Sequence, residues 1–153
     1  MCIRDRSYVN IEFALKKLCE QYPKNQKRYL EMTKNEVGMN QNIRIARLEI
    51  AAQDNVSHIE SLVDLTSNSY EFRTRTKAMV ALDSLNYCDE HLVRNLFDAL
   101  LNPNRRLYNP ATRTLRHLLE DDATKEQVVF HFKNNKWKDW QRDFILKRLK
   151  IDS

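Results

Sequence analysis

Histidines, cysteines and clustered carboxylates are where this 153-residue chain could do chemistry. A peptidase-type zinc centre needs two histidines one helical turn apart, with a glutamate as base. His58, His91, His117 and His131 are all separated by more than a turn, so the spacing predicts no such centre. Cys88 and His91 stand three residues apart, near enough for a thiolate–imidazole pair. The plainer reading makes Cys88 a small apolar filler in a turn between two helices. Cys2, Cys19 and Cys88 are odd in number and widely spaced, which excludes a CxxC motif and argues against a disulfide framework. A single glycine excludes a phosphate-cradling Gly-rich loop. Glu120-Asp121-Asp122 reads as a solvated turn. The sequence therefore predicts no catalytic residue, no metal ligand and no cofactor.

The cations are more numerous. The formal net charge is +5, and residues 136–150 hold six Lys/Arg against two Asp. Arg44, Arg47, Arg73, Arg75, Arg113 and Arg116 recur on what read as the first helices of helix pairs. Such a ladder could contact phosphates along one face. Alternatively the arginines bridge neighbouring repeats by pairing with Asp or Glu, and interleaved acids such as Glu49 and Asp83 favour that. Arg44, Arg75, Arg113, Arg116, Lys147 and Arg148 are the candidate surface contacts. Trp137 and Trp140, beside Lys136, Lys138 and Arg142, could stack bases, but their spacing of three also suits a core.

The elements that must carry these residues read as helices. Apolar residues make up 42% of the chain and charged ones 31%, the balance of a globular domain. With no Asn-Gly or Asp-Gly hairpin signal, an all-α fold is expected. Helical periodicity marks residues 8–22 (Ile11, Ala14, Leu15, Leu18 and Tyr22 inward), 25–37, 42–53 and 57–66, the last behind a Ser57…Glu60 capping box. Gly38 suits a left-handed C′ position. The central pair spans 70–101, with Ala78, Ala81, Leu82 and Leu85 on its first helix. Leu92, Leu96, Phe97 and Leu100 line its second, capped by Asp89. Asn68 reads as the start of that pair. Asn109-Pro110 reads as N-cap and N1 of the next helix, and Thr124…Gln127 as another capping box. A last helix, 138–150, turns Trp140, Phe144, Ile145 and Leu149 inward.

These units repeat. Ile43, Thr74 and Leu107 align at offsets of 31 and 33, as do Ile50, Ala81 and Thr114. Two helices per period of that length read as a HEAT-like α-solenoid of about four helix pairs plus a C-terminal capping helix. Residues 1–6 break the pattern and read as a non-native adapter scar, leaving 7–153 as one helical-repeat domain, a C-terminal fragment of a longer protein. No apolar run approaches the ~18–20 residues of a membrane span.

Asn42-Ile43-Arg44-Ile45-Ala46-Arg47-Leu48-Glu49-Ile50-Ala51 and Thr66-Ser67-Asn68-Ser69-Tyr70-Glu71-Phe72-Arg73-Thr74-Arg75 resemble the HEAT-like C-terminal helical domain of bacterial aminopeptidase N-type zinc metallopeptidases. The family's H-E-x-x-H helix and G-x-M-E-N motif are absent here, and Gly38-Met39-Asn40 does not match the latter, so no functional residue carries over. The resemblance implies a non-catalytic scaffold or interaction domain that closes over a substrate chamber. Zinc would be confined to a separate catalytic domain, and the partner would be the rest of the parent chain or another protein. Nucleic acid is the alternative partner, through the arginine face. Unpaired cysteines favour the cytoplasm, and a signal peptide on the parent would make it periplasmic.

Overall fold

The computed structural model describes residues 3–151. Among them it is all-helical, with nine α-helices and no strand. The chain divides into two compact units, one ending at Asp64 and the other beginning at Leu65.

The first unit holds α1 (Ile3–Gln21), α2 (Gln26–Met32), α3 (Asn42–Ala52) and α4 (Ser57–Asp64). The backbone of residues 3–6 is helical and continuous with α1, so the helix starts before the expected boundary, while Met1 and Cys2 lie outside the described residues. Helix α1 packs on α2 and α3, and α3 packs on α4. The buried line of α1 is Leu15 and Cys19, which meet Ala46 and Ile50 of α3. Ala14, Leu18 and Tyr22, expected inward, are exposed. A helix of 3.6 residues per turn buries only the stripe that meets its neighbours, here α2 and α3, and these three residues lie outside it.

The expected helix over 25–37 is shorter. Pro23–Asn25 form a 3₁₀ turn, and α2 ends at Met32 with Thr33 as its C-cap. Gly38 has φ 76° and ψ 174°, so it is not the left-handed C′ residue expected but lies in a region almost confined to glycine. Asn40 and Gln41 follow at φ 54° and 60°. The Ser57 capping box is replaced by Asn55, whose Oδ1 accepts the Ser57 N–H at 3.0 Å.

The second unit holds α5 (Phe72–Ser84), α6 (Glu90–Leu100), α7 (Arg105–Glu120), α8 (Asp122–Asn134) and α9 (Asp139–Leu149). Helix α7 is central: α5, α6, α8 and α9 all pack against it, and α6 also packs on α8. Of its buried residues, Leu107, Ala111, Thr114, Leu115 and Leu118 fall at helical spacing on one face. Ala78, Ala81, Leu82, Leu96 and Phe97 are buried too, as the periodicity requires. The repeat offsets align buried positions: Ile43 with Thr74 and Leu107, and Ile50 with Ala81 and Thr114.

The helix starts shift where a nearer side chain reaches the orphan N–H groups. Asp89 caps α6 as expected, accepting the Leu92 N–H at 2.7 Å. Glu71, not Asn68, caps α5, accepting from Arg73 and Thr74. Asp121 caps α8 in place of Thr124, whose hydroxyl donates instead to the Leu118 carbonyl at 2.6 Å. The acidic triplet is thus the hinge between two helices, with Asp121 ending one and starting the next.

Helix α7 begins at Arg105 behind Asn104, so Pro110 lies inside it rather than at N1. An interior proline strips the carbonyl four residues back of its partner. That carbonyl belongs to Arg106, and the Thr76 hydroxyl of α5 donates to it at 3.1 Å. Removing the hydroxyl with Thr76→Val should cost about 0.5–1.5 kcal/mol. In a Pro110→Ala background, where residue 110 regains its own N–H, that cost should fall toward zero. Urea unfolding of the four variants in a double-mutant cycle gives the coupling, and additive effects would rule the exchange out.

Candidate interaction surface

Three of the six recurring arginines, Arg47, Arg75 and Arg116, donate to the protein's own backbone carbonyls. Arg75, expected at the surface, is buried at 4% exposure. Its Nε donates to the Thr66 carbonyl at 2.9 Å, and its Nη2 pairs with Asp98 at 2.7 Å. Asn95 completes this cluster by donating to the Thr66 hydroxyl at 2.9 Å. Arg75 therefore joins the segment before α5 to α6, because a planar guanidinium with five donors can hold a carbonyl and a carboxylate at once. In the first unit, Arg47 of α3 donates to the carbonyls of Leu30 at 3.3 Å and Lys34 at 2.8 Å. Arg44 is half-buried and donates to the Gln41 side chain at 3.3 Å.

Of the remaining candidates, Arg113, Arg116 and Arg148 come together. They line a groove of about 480 Å³ with Asn109, Thr112, His117 and Glu120. Helix α7 supplies all of these except Arg148, which belongs to α9. Arg116 donates through Nε and Nη2 to the Arg148 carbonyl, at 2.9 and 2.5 Å. The Arg148 guanidinium lies 4.9 Å from the Tyr108 ring centre and 5.4 Å from that of Phe144, and donates to the Tyr108 hydroxyl at 3.3 Å. Two arginines are thus held before anything binds. Arg113 is exposed. Lys147 is exposed but does not line the groove.

His117 is the groove residue that the sequence reading missed. Its Nδ1 meets Asp83 Oδ1 of α5 at 2.9 Å. The two residues are 34 apart, one repeat period and a step, and that spacing was the available signal. The hydrogen bond to Asp83 and the charge on its carboxylate hold the His117 pKa above the usual histidine value, with Glu120 and Asp121 adding to it. The protonated pair therefore contributes stability below about pH 6.5 and loses it as pH rises through the raised value. Both side chains reach solvent, so the gain is small. An NMR titration of the His117 ring should give a pKa above 6.5 that falls back in Asp83→Asn; no change on that substitution would discount the pairing.

The chain matches no family model, no curated protein and no solved structure. Its functional reading therefore rests on its own residues.

Those residues give little support to catalysis at Cys88. Burial, then Asp89 and Asp121, push its thiol up to about 11, so at neutral pH it is a thiol and not a thiolate. The Cys88 S–H faces Gln127 Oε1 at 3.5 Å, and His91 is engaged with Arg94. Among the described residues no cluster of His, Cys, Asp or Glu is arranged to hold a metal ion. No helix among them is long and apolar enough to cross a membrane. The tryptophans divide. Trp137 is half-buried, stacks near Phe97 and Phe132, and donates to the Phe132 carbonyl at 2.7 Å. Trp140, expected inward, is 59% exposed, and Ile145 and Leu149 fill the buried face of α9 instead.

Proposed function

We propose that this chain is a non-catalytic helical-repeat domain, HEAT-like in its succession of helix pairs, that serves as a scaffold and offers an interaction surface. One observation carries the reading: three of the six recurring arginines, Arg47, Arg75 and Arg116, are committed to backbone carbonyls within their own units, so they stiffen each unit and are not free to join a phosphate-binding ladder. A stiff stack of helix pairs suits a partner-binding wall. The resemblance of residues 42–51 and 66–75 to the terminal domain of aminopeptidase N-type zinc peptidases would make that partner the remainder of the same polypeptide. The upstream reading frame tests the parentage, since it should encode an H-E-x-x-H helix.

Nucleic acid is the second reading, favoured by the cations of the α7–α9 groove. Filter binding of a mixed-sequence duplex across a salt series separates the two. Scaffolding predicts binding no tighter than the non-specific range of about 10⁻⁴–10⁻⁶ M at physiological salt, with a shallow log–log slope. Tighter binding with a slope beyond about −5, several phosphates neutralised at once, would reverse the preference.

A further inference from the structure

We propose that the groove between α7 and α9 is a docking site for an acidic polypeptide segment, with Arg113, Arg116 and Arg148 receiving carboxylates spaced two residues apart on an extended chain. The proposal rests on the reading of this chain as an interaction domain and names the chemistry of its partner.

Charge complementarity commits the groove to an anion. Three arginines line it, with His117 already paired to Asp83, against Glu120 at the C-terminal end of α7. Pre-organisation adds to this. Arg116 is fixed by the Arg148 carbonyl, and Arg148 by the Tyr108 hydroxyl and two aromatic faces. Fixed side chains lose little rotamer freedom on binding, so more of the interaction energy appears as affinity. Arg113 is exposed.

Dimensions favour a peptide over a nucleic acid. From Asn109 to Glu120 the groove floor follows α7 for about 16 Å, at 1.5 Å per residue. That length takes about five residues of extended chain. Arg113 and Arg116 are three apart on the helix, which puts their β-carbons about 5–6 Å from each other. Side chains two apart on one face of an extended peptide repeat at about 6.6–6.8 Å, a near match for one carboxylate on each guanidinium. The few cations present neutralise too few phosphates of a nucleic acid for tight binding.

The test uses the full chain and a fluorescein-labelled peptide alternating glutamate and alanine, read by anisotropy at physiological salt. The peptide should bind saturably, and its glutamine counterpart should not. Arg113→Glu should weaken binding at least about tenfold, equivalent to about 1.4 kcal/mol. Arg113→Gln, which removes the charge without reversing it, should weaken it less. Arg105→Glu, exposed on α7 outside the groove, should change it little. Equal losses in Arg113→Glu and Arg105→Glu, or none in Arg113→Glu, would overturn the site. A single-stranded oligonucleotide of equal charge that binds more tightly and is released by Arg113→Glu would reassign it to nucleic acid. Tight duplex binding indifferent to Arg113→Glu would count against the scaffold reading alone.

Discussion

Phe97→Ala should destabilise the unit beginning at Leu65 by about 3–5 kcal/mol, the range for deleting a buried phenylalanine. The ring is 1% exposed and lies at the meeting of α6 and α8. Its centroid is 5.3 Å from that of His131, 6.5 Å from Phe132 and 5.4 Å from Trp137. Each well-placed aromatic pair adds about 0.5–1.5 kcal/mol beyond the area it buries. The cavity left by alanine has rigid rings around it and so collapses poorly, which puts the cost toward the upper end. The Trp137 indole, bonded to the Phe132 carbonyl, reports the change. Urea unfolding followed by tryptophan fluorescence should show an earlier midpoint and a red-shifted native emission. A loss below about 1 kcal/mol would mean that the aromatic cluster contributes little to holding α8 in place.

In the other unit, Gly38→Ala should cost about 3–5 kcal/mol. Two effects add. The backbone at φ 76° and ψ 174° strains any residue with a β-carbon by about 1–3 kcal/mol. That β-carbon would also stand 2.0 Å from Asn42 Oδ1 and 2.9 Å from Ile43 Cγ1. Asn42 is 2% exposed and cannot swing aside freely, because its Nδ2 donates to Glu12 at 2.7 Å and to the Tyr8 carbonyl at 3.2 Å. Displacing it breaks buried hydrogen bonds worth about 1–3 kcal/mol. Asn42→Ala removes the obstacle, so Gly38→Ala should cost less in that background, leaving mainly the backbone strain. Equal costs in both backgrounds, measured by circular dichroism in urea, would show that the clash is relieved some other way.

The core of the unit beginning at Leu65 was legible because its amphipathic helices pack around the central α7. Leu82, Leu96, Leu115 and Leu118 follow the helical period and are buried. Periodicity failed on α1, where the buried line narrows to Leu15 and Cys19 while Leu18 and Tyr22 keep the rhythm yet stay exposed. It failed again at helix starts, where several polar residues compete and local reach decides: Asn104 over Asn109, and Asp121 over Thr124. Pro110 misled because its missing hydrogen bond is replaced from another helix, by Thr76, and no local pattern carries that information. For the candidate surface, Arg113, Arg116 and Arg148 were visible as charge. The burial of Arg75 was not, because a guanidinium that donates to a carbonyl looks the same in sequence as one facing water.

The guanidinium-to-carbonyl staples bear on how such a protein can drift. Every amino acid offers the same main-chain oxygen, so the sites that receive Arg47 and Arg116, at Leu30, Lys34 and Arg148, can change side chain without loosening the joint. Only the arginine end is chemically specified. Pairwise covariation, which detects two side chains that must change together, has nothing to register at these joints. A lineage could replace most of the residues around them and keep the same helix-to-helix couplings, with isolated arginines as the surviving trace.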